Sequence, residues 1–316
     1  MRHVFGDHTA NTQSYGVFCY FTPTLGGIIL SEKRVVITAD STTDLSPALR
    51  ERYKIATLPL GITLGGQVYH DGVDITPDMI YEHHDKTGEL PKTTATNVGE
   101  CDDFFRPFAE EGAAVVHFTI SAQMSSTYNN TCLSAKEFSD VYVIDTKNLS
   151  TGGGLLVVAA AEMAAAGMSA KEIVRETEKL VDCVEASFVI DSLEYLHKGG
   201  RCSALAVLGA NLLKLKPCIE VKKGSMGVGK KYRGKFDLAL REYIKERITD
   251  YSDIMLDRVF ITHAGCDSAL TDEIVALVKE TAPFKEVFLT RAGCTISSHC
   301  GANTLGILFI RKSPIA

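Results

Sequence analysis

From residue 35 onward, short runs of β-branched and apolar residues alternate with segments whose apolar positions recur at helical spacing. Val35 to Thr38 reads as a strand, and Ser46-Pro47 reads as the N-cap and first residue of a helix behind it. The runs Ala114 to Ile120, Val141 to Asp145 and Ser187 to Ile190 are almost wholly apolar, as strands covered on both faces by helices are. A helix is predicted over Ser169 to Val184, where Ser169 and Glu172 have capping-box spacing and Ile173, Leu180, Val181 and Val184 share one face. Beyond it the pattern changes. A hairpin-like stretch from Cys218 to Lys235 precedes a helix over Asp237 to Ile248 and a strand over Val259 to Thr262. A helix near Ser268 to Lys279 and strands over Val287 to Thr290 and Leu305 to Ile310 complete the chain.

The fold class expected is therefore α/β with two lobes, an N-terminal mostly parallel doubly wound sheet and a C-terminal mixed α/β domain. The length of 316 residues agrees with two domains at about 150 residues each. The strand-helix rhythm shifts near the alanine-rich stretch Ala159 to Gly167, which sets the expected domains at 35–165 and 166–316. Residues 1–34 lack a basic n-region, and Asp7, Thr9, Asn11 and Gln13 precede any apolar core. They make a poor signal peptide and are expected to be a loosely ordered extension.

Composition narrows the function more than the fold. With 45% hydrophobic and 23% charged residues the chain is an ordinary globular one, and a net charge of -6 opposes binding along a phosphate backbone, so no nucleic-acid partner is expected. Nine cysteines, an odd number with no CxxC pair, fit neither a disulfide framework nor a zinc site; reduced thiols in a cytoplasm are expected, with no metal. Pro23, Gly26, Gly27 and Glu162 interrupt the apolar stretches before they reach about 18 residues, so the chain is not expected to be transmembrane.

The segment Gly224 to Lys231 matches GxxxxGK, but Lys231 stands where a magnesium-binding Ser or Thr belongs and no helical stripe begins before Leu238. Its glycines predict a hairpin turn instead. Hydroxyls cluster just past two predicted strands, at Ser41, Thr42 and Thr43 and at Ser121, Ser125, Ser126 and Thr127, where parallel sheets bind ligands. Such residues are equally at home as ordinary loop and N-cap positions, although beside free helix N–H groups they suit a carboxylate or phosphate. His117 reads as a core residue, and His83 and His84 as a solvated helix face. His299 reads as part of a small-residue loop before the last strand, where an imidazole can reach an anion. There is no GxSxG, no HExxH and no catalytic cysteine signature, so no catalytic residue is assigned.

Taken in order, Thr38-Ala-Asp40-Ser-Thr-Thr-Asp44-Leu, Leu58-Pro-Leu, Tyr69-His-Asp71-Gly-Val-Asp74-Ile, Pro91-Lys-Thr-Thr, Ile120-Ser-Ala-Gln-Met-Ser125-Ser-Thr-Tyr, Val143-Ile-Asp145-Thr, Leu193-Glu-Tyr-Leu-His-Lys-Gly-Gly-Arg201 and Leu213-Lys-Leu-Lys-Pro217 resemble the DegV family of bacterial fatty-acid-binding proteins. The resemblance runs from about Val35 to Lys312. It implies two α/β lobes closing on one long-chain fatty acid, with the carboxylate at the interlobe cleft and the tail in an apolar tunnel. The fatty acid would be a bound ligand, and no cofactor is implied.

The same resemblance implies a non-catalytic carrier whose bound carboxylate is phosphorylated by a separate fatty-acid kinase subunit. The acyl phosphate would then pass toward phospholipid synthesis, with an acyl-phosphate acyltransferase as a further partner. Thr63 and Thr94 match the family's headgroup-binding positions. Arg201 and His299 match cationic or hydrogen-bonding positions near the headgroup, and Ser126 is a weaker candidate in the loop beside them. Two departures stand out: Thr93-Thr94-Ala95-Thr96 where the family often has Thr-Ser-Gln-Pro, and His299-Cys300-Gly301-Ala302-Asn303 where it often has His-x-Gly-Pro-Gly. A reading from another class is a self-sufficient phosphotransferase or hydrolase using Ser125 or Ser126 with His299, and a third is a sensor that keeps only the fold.

Overall fold

The computed structural model describes residues 33–202 and 215–315. The expected extension, up to residue 32, lies outside the described residues. The first half runs β1 (Val35–Asp40), a 3-10 turn (Ser41–Thr43), α1 (Pro47–Tyr53), β2 (Ala56–Leu58), β3 (Gly61–Leu64), β4 (Gln67–His70), α2 (Pro77–Thr87), β5 (Lys92–Thr94), α3 (Val98–Glu110), β6 (Ala114–Thr119), α4 (Thr127–Ala135), β7 (Val141–Asp145) and α5 (Ser150–Ala165). Strands β2-β1-β6-β7 form an all-parallel sheet in that order, and β4-β3-β5 form a small antiparallel sheet beside it.

The second half runs α6 (Ala170–Val181), β8 (Val184–Ile190), α7 (Glu194–Gly199), β9 (Leu215–Lys222), β10 (Ser225–Arg233), α8 (Phe236–Ile248), β11 (Arg258–Ala264), α9 (Ser268–Thr281), β12 (Glu286–Arg291), α10 (Cys294–Cys300) and β13 (Thr304–Ile310). Its sheet has the order β10-β9-β8-β13-β11-β12, antiparallel except for the β11–β12 pair. This is the mixed α/β architecture expected.

Local chemistry explains the helix starts. Ser46 accepts the Leu49 N–H at 3.3 Å with Pro47 as first helical residue, and Ser169 and Glu172 exchange both bonds of a capping box. The helix expected over Ser169 to Val184 stops at Val181, because Val184 pairs with Ile310 and opens β8, all seven of whose residues are buried. The extended, doubly covered environment takes Val184 from the helix.

Helix α5 packs against β1 and β6 of the parallel sheet and β8, β11 and β13 of the mixed one. Apolar around its circumference, it is buried over most of its length, as a helix between two sheets must be. Its run Gly152-Gly-Gly lets it come close: a Cβ on Gly154 would stand 2.9 Å from the Thr43 carbonyl. The expected seam at 159–167 falls on the end of α5. A second core, around Tyr243, Ile244, Ile274 and Phe309, lies between α8, α9 and the far face of the mixed sheet.

Candidate functional site

A cavity of about 600 Å³ opens where the loops after β6 and β7 meet β5, β8, β13 and α10. Its position beyond the carboxyl ends of parallel strands is where open α/β sheets bind ligands. Leu60, Ile120, Leu149, Phe188, Met226, Ile296 and Leu308 give much of it an apolar wall, while Thr93, Thr94, Gln123, Ser126, Arg201 and His299 supply polar groups.

Four of the five residues singled out in the sequence come together on this cavity: Thr94, Ser126, Arg201 and His299 all line it. Thr63 does not. It lies on β3 opposite Val68 and Lys92, two residues beyond Gly61, whose partner on β5 is Thr94. Because paired and alternate residues share a sheet face, Thr63 and Thr94 point to the same side, with Thr94 nearer the cavity.

His299 sits in helix α10, not in the loop expected from its small neighbours. Its Nε2 is 2.9 Å from Thr93 Oγ1, whereas its Nδ1 is buried without a partner, against Gly199. Burial, and then the nearby Arg201 charge, push the imidazole down to about 4. His299 is thus neutral at pH 7 and offers hydrogen bonding rather than charge. The cationic group is Arg201, exposed at the cavity's edge, with Nη1 donating to the Gly199 carbonyl at 2.8 Å.

Ser126 is the N-cap residue of α4 and makes no capping bond, so its hydroxyl is uncommitted to the helix it precedes. Ser125 Oγ lies 2.9 Å from Thr127 Oγ1. Neither serine bonds His299, whose Nε2 is taken by Thr93, so the nucleophile and base of the enzymatic reading are not paired. Among the described residues no cluster of His, Cys, Asp and Glu could hold a metal. Thr93, Gln123 and Ile296 are cavity residues outside the candidate set; Thr93 and Gln123 lie within segments that carry the family resemblance, and Ile296 carries no signal.

Two of the cavity's walls are tied down by buried carboxylates. Asp40 accepts the Ile120 N–H at 2.7 Å and the Thr42 N–H at 3.0 Å, and burial pushes its carboxyl up to about 6 against the pull of those bonds. Asp44 accepts the Ser150 hydroxyl at 2.5 Å, and burial raises its carboxyl well above the usual range.

The family model described as an uncharacterised protein of the DegV family matches residues 34–312. The chain belongs to the DegV family. A DegV domain-containing protein of Clostridium acetobutylicum is 30% identical to it over 282 residues, 89% of this chain and 99% of the relative. Among solved structures, a DegV family protein of Thermus thermophilus described by its fatty-acid binding matches with a TM-score of 0.81 and 28% identity, covering 88% of this chain and 99% of that one. A stearic-acid-binding protein from Eubacterium ventriosum matches with a TM-score of 0.76 and 28% identity, covering 87% and 98%. Within this DegV chain the segment after His299 has positive φ at Gly301 (73°, with ψ 173°, a region open to glycine) and at Asn303 (55°), a sign of φ that Asn tolerates.

Proposed function

We propose that this chain is a carrier that binds one long-chain fatty acid, its tail in the 600 Å³ cavity and its carboxylate among Thr94, Arg201 and His299. The observation that carries this reading is the cavity's division into an apolar wall and a polar group that includes hydroxyls, the neutral imidazole of His299 and the guanidinium of Arg201. Burying the chain yields about 0.8 kcal/mol per methylene, and the carboxylate must keep hydrogen bonds wherever it leaves water. Arg201 supplies a charged donor, Thr94 a neutral hydroxyl, His299 a neutral imidazole whose Nε2 is shared with Thr93, and Ser126 a further hydroxyl beside them. Thr63, on the same sheet face as Thr94, is the outermost member of the set.

The carrier presents the bound carboxylate to a separate fatty-acid kinase, and an acyltransferase consumes the acyl phosphate for phospholipid synthesis. An exposed Arg201 beside the headgroup suits the added charge of a phosphorylated carboxylate. A cytoplasmic setting fits the free thiols of Cys101, Cys218 and Cys300, and no helix among the described residues is long and apolar enough to cross a membrane.

The test is native mass spectrometry of the purified protein followed by organic extraction. A stoichiometric C14 to C18 fatty acid, lost in a Thr63→Val, Thr94→Val double variant, is expected. No retained lipid, together with no binding of oleate or palmitate on incubation, refutes the carrier reading. Acyl-phosphate formation is expected only when a kinase subunit and ATP are added, and turnover by the protein alone would favour the enzymatic alternative.

A further inference from the structure

Asp40, Asp44 and Asp71 are 0%, 7% and 4% exposed, and their partners are backbone N–H groups and hydroxyls. Two of them converge on the start of α10. Asp71 accepts the N–H of Cys294 at 2.7 Å and of Thr295 at 3.0 Å, and Asp44 accepts the N–H of Gly293 at 2.8 Å. Three successive donors at the head of one helix are thus satisfied by carboxylates 223 to 249 positions away in the chain.

Helix α10 has little else to define it. Its sequence, Cys-Thr-Ile-Ser-Ser-His-Cys, has no run of strong helix formers, and its N-cap residue, Gly293, supplies no capping side chain. A carboxylate suits this place better than an amide, because both oxygens only accept and its charge meets the positive end of the helix. The second Asp71 oxygen also accepts the Ser41 hydroxyl at 3.1 Å, and the Ser41 oxygen in turn accepts the N–H of Leu60, a cavity residue, at 3.1 Å. The far end of α10 bears His299, with Nε2 at Thr93.

We propose that Asp71, assisted by Asp44, is the positioning residue of the headgroup site: its carboxylate fixes the start of α10 and so sets where the His299 imidazole stands. Asp71 is not among the cavity-lining residues and acts only through α10. The inference rests on the fatty-acid reading above for its ligand, though not for its geometry. Asn at position 71 keeps the shape but turns an NH2 group toward one of the donors.

The experiment compares Asp71→Asn, His299→Ala and the double variant for binding of palmitate and of 1-hexadecanol, which has the same chain and no carboxylate. Asp71→Asn is expected to weaken palmitate about tenfold and hexadecanol less than about twofold, and to add little once His299 is already Ala. Equal weakening of both ligands, or full additivity with His299→Ala, overturns the proposal. Should Asp71→Asn fail to fold, Ser41→Ala removes one donor to the same oxygen, and a loss of about threefold confined to palmitate is expected, equal losses for both ligands again counting against it. If the wild-type protein binds neither ligand, the fatty-acid reading falls. The positioning claim is then decided by the His299 ring resonances in NMR spectra of the ligand-free protein, which must shift in Asp71→Asn; unmoved resonances overturn it.

Discussion

The turn between β9 and β10 is tied to the loop after β6 by a hydrogen bond at the cavity's side, which makes its strength measurable. Ser121 Oγ donates to the Gly224 carbonyl at 2.7 Å, and Met226, just beyond the turn, and Gln123, just beyond Ser121, both line the cavity. Gly224 has φ +82°, and a Cβ there would stand 2.7 Å from Ser121 Oγ and 3.2 Å from Gln123 Cγ. Gly224→Ala therefore faces two penalties: about 1 kcal/mol for a left-handed L-residue, and about 1 to 1.5 kcal/mol for pushing the serine off its carbonyl. The expected loss is about 2 to 2.5 kcal/mol, read in urea unfolding monitored by far-UV circular dichroism. In a Ser121→Ala background the second penalty is already incurred, so the same substitution should cost only about 1 kcal/mol. An identical cost in both backgrounds would refute the claim that the hydroxyl and the missing Cβ compete for one space. A cost below about 0.5 kcal/mol in the wild-type background would show that the turn yields without strain.

Asp40 titrates up near 6 in the folded protein against an ordinary 3.8, so the fold favours its protonated form and stability should fall as pH rises from about 4 through about 6; thermal unfolding across that range should show the fall, and Asp40→Asn should flatten it. Since His299 is depressed to about 4, its contribution to palmitate binding should not fall as pH rises from 6 to 8, and an affinity titration near 6.5 that vanishes in His299→Ala would contradict this. Thr94→Val, which keeps the volume and removes the hydroxyl, should weaken palmitate about fivefold in a displacement titration, and an unchanged affinity would remove Thr94 from the headgroup set.

Where a segment's own residues decide its structure, the sequence could be read directly. The buried run of β6 and the Ser169/Glu172 box at α6 are examples, and so in part is the failed GxxxxGK match, whose Gly224 makes the expected hairpin turn while Gly227 and Gly229 lie in β10 instead. Where structure is imposed from a distance, the reading failed. Helix α10 was mistaken for a loop because its capping groups, Asp44 and Asp71, are far away in the chain. Strands β3, β4 and β5, of three or four residues each, have too few positions for a period of two to show. His84, expected on a solvated face, instead packs its ring 4.9 Å from Tyr195 of α7, a tertiary contact that no local pattern encodes. His299 is legible from its small-residue surroundings, Thr94 and Arg201 are legible through a family pattern, and the bond between Thr93 and the imidazole is visible only in the structure.

In the mixed sheet, β13 lies between β8 and β11 although it is the last of the described strands. Until residues 304–310 have left the ribosome, β8 to β10 on one side and β11 with β12 on the other are two separate ribbons, each with an unpaired edge of wholly or largely buried residues. Leu308 and Gly306, which line the cavity, arrive with the same strand. A nascent chain thus has an incomplete cavity and two adhesive edges until residues 304–310 emerge, so truncation before residue 304 should yield aggregating protein rather than a shortened fold.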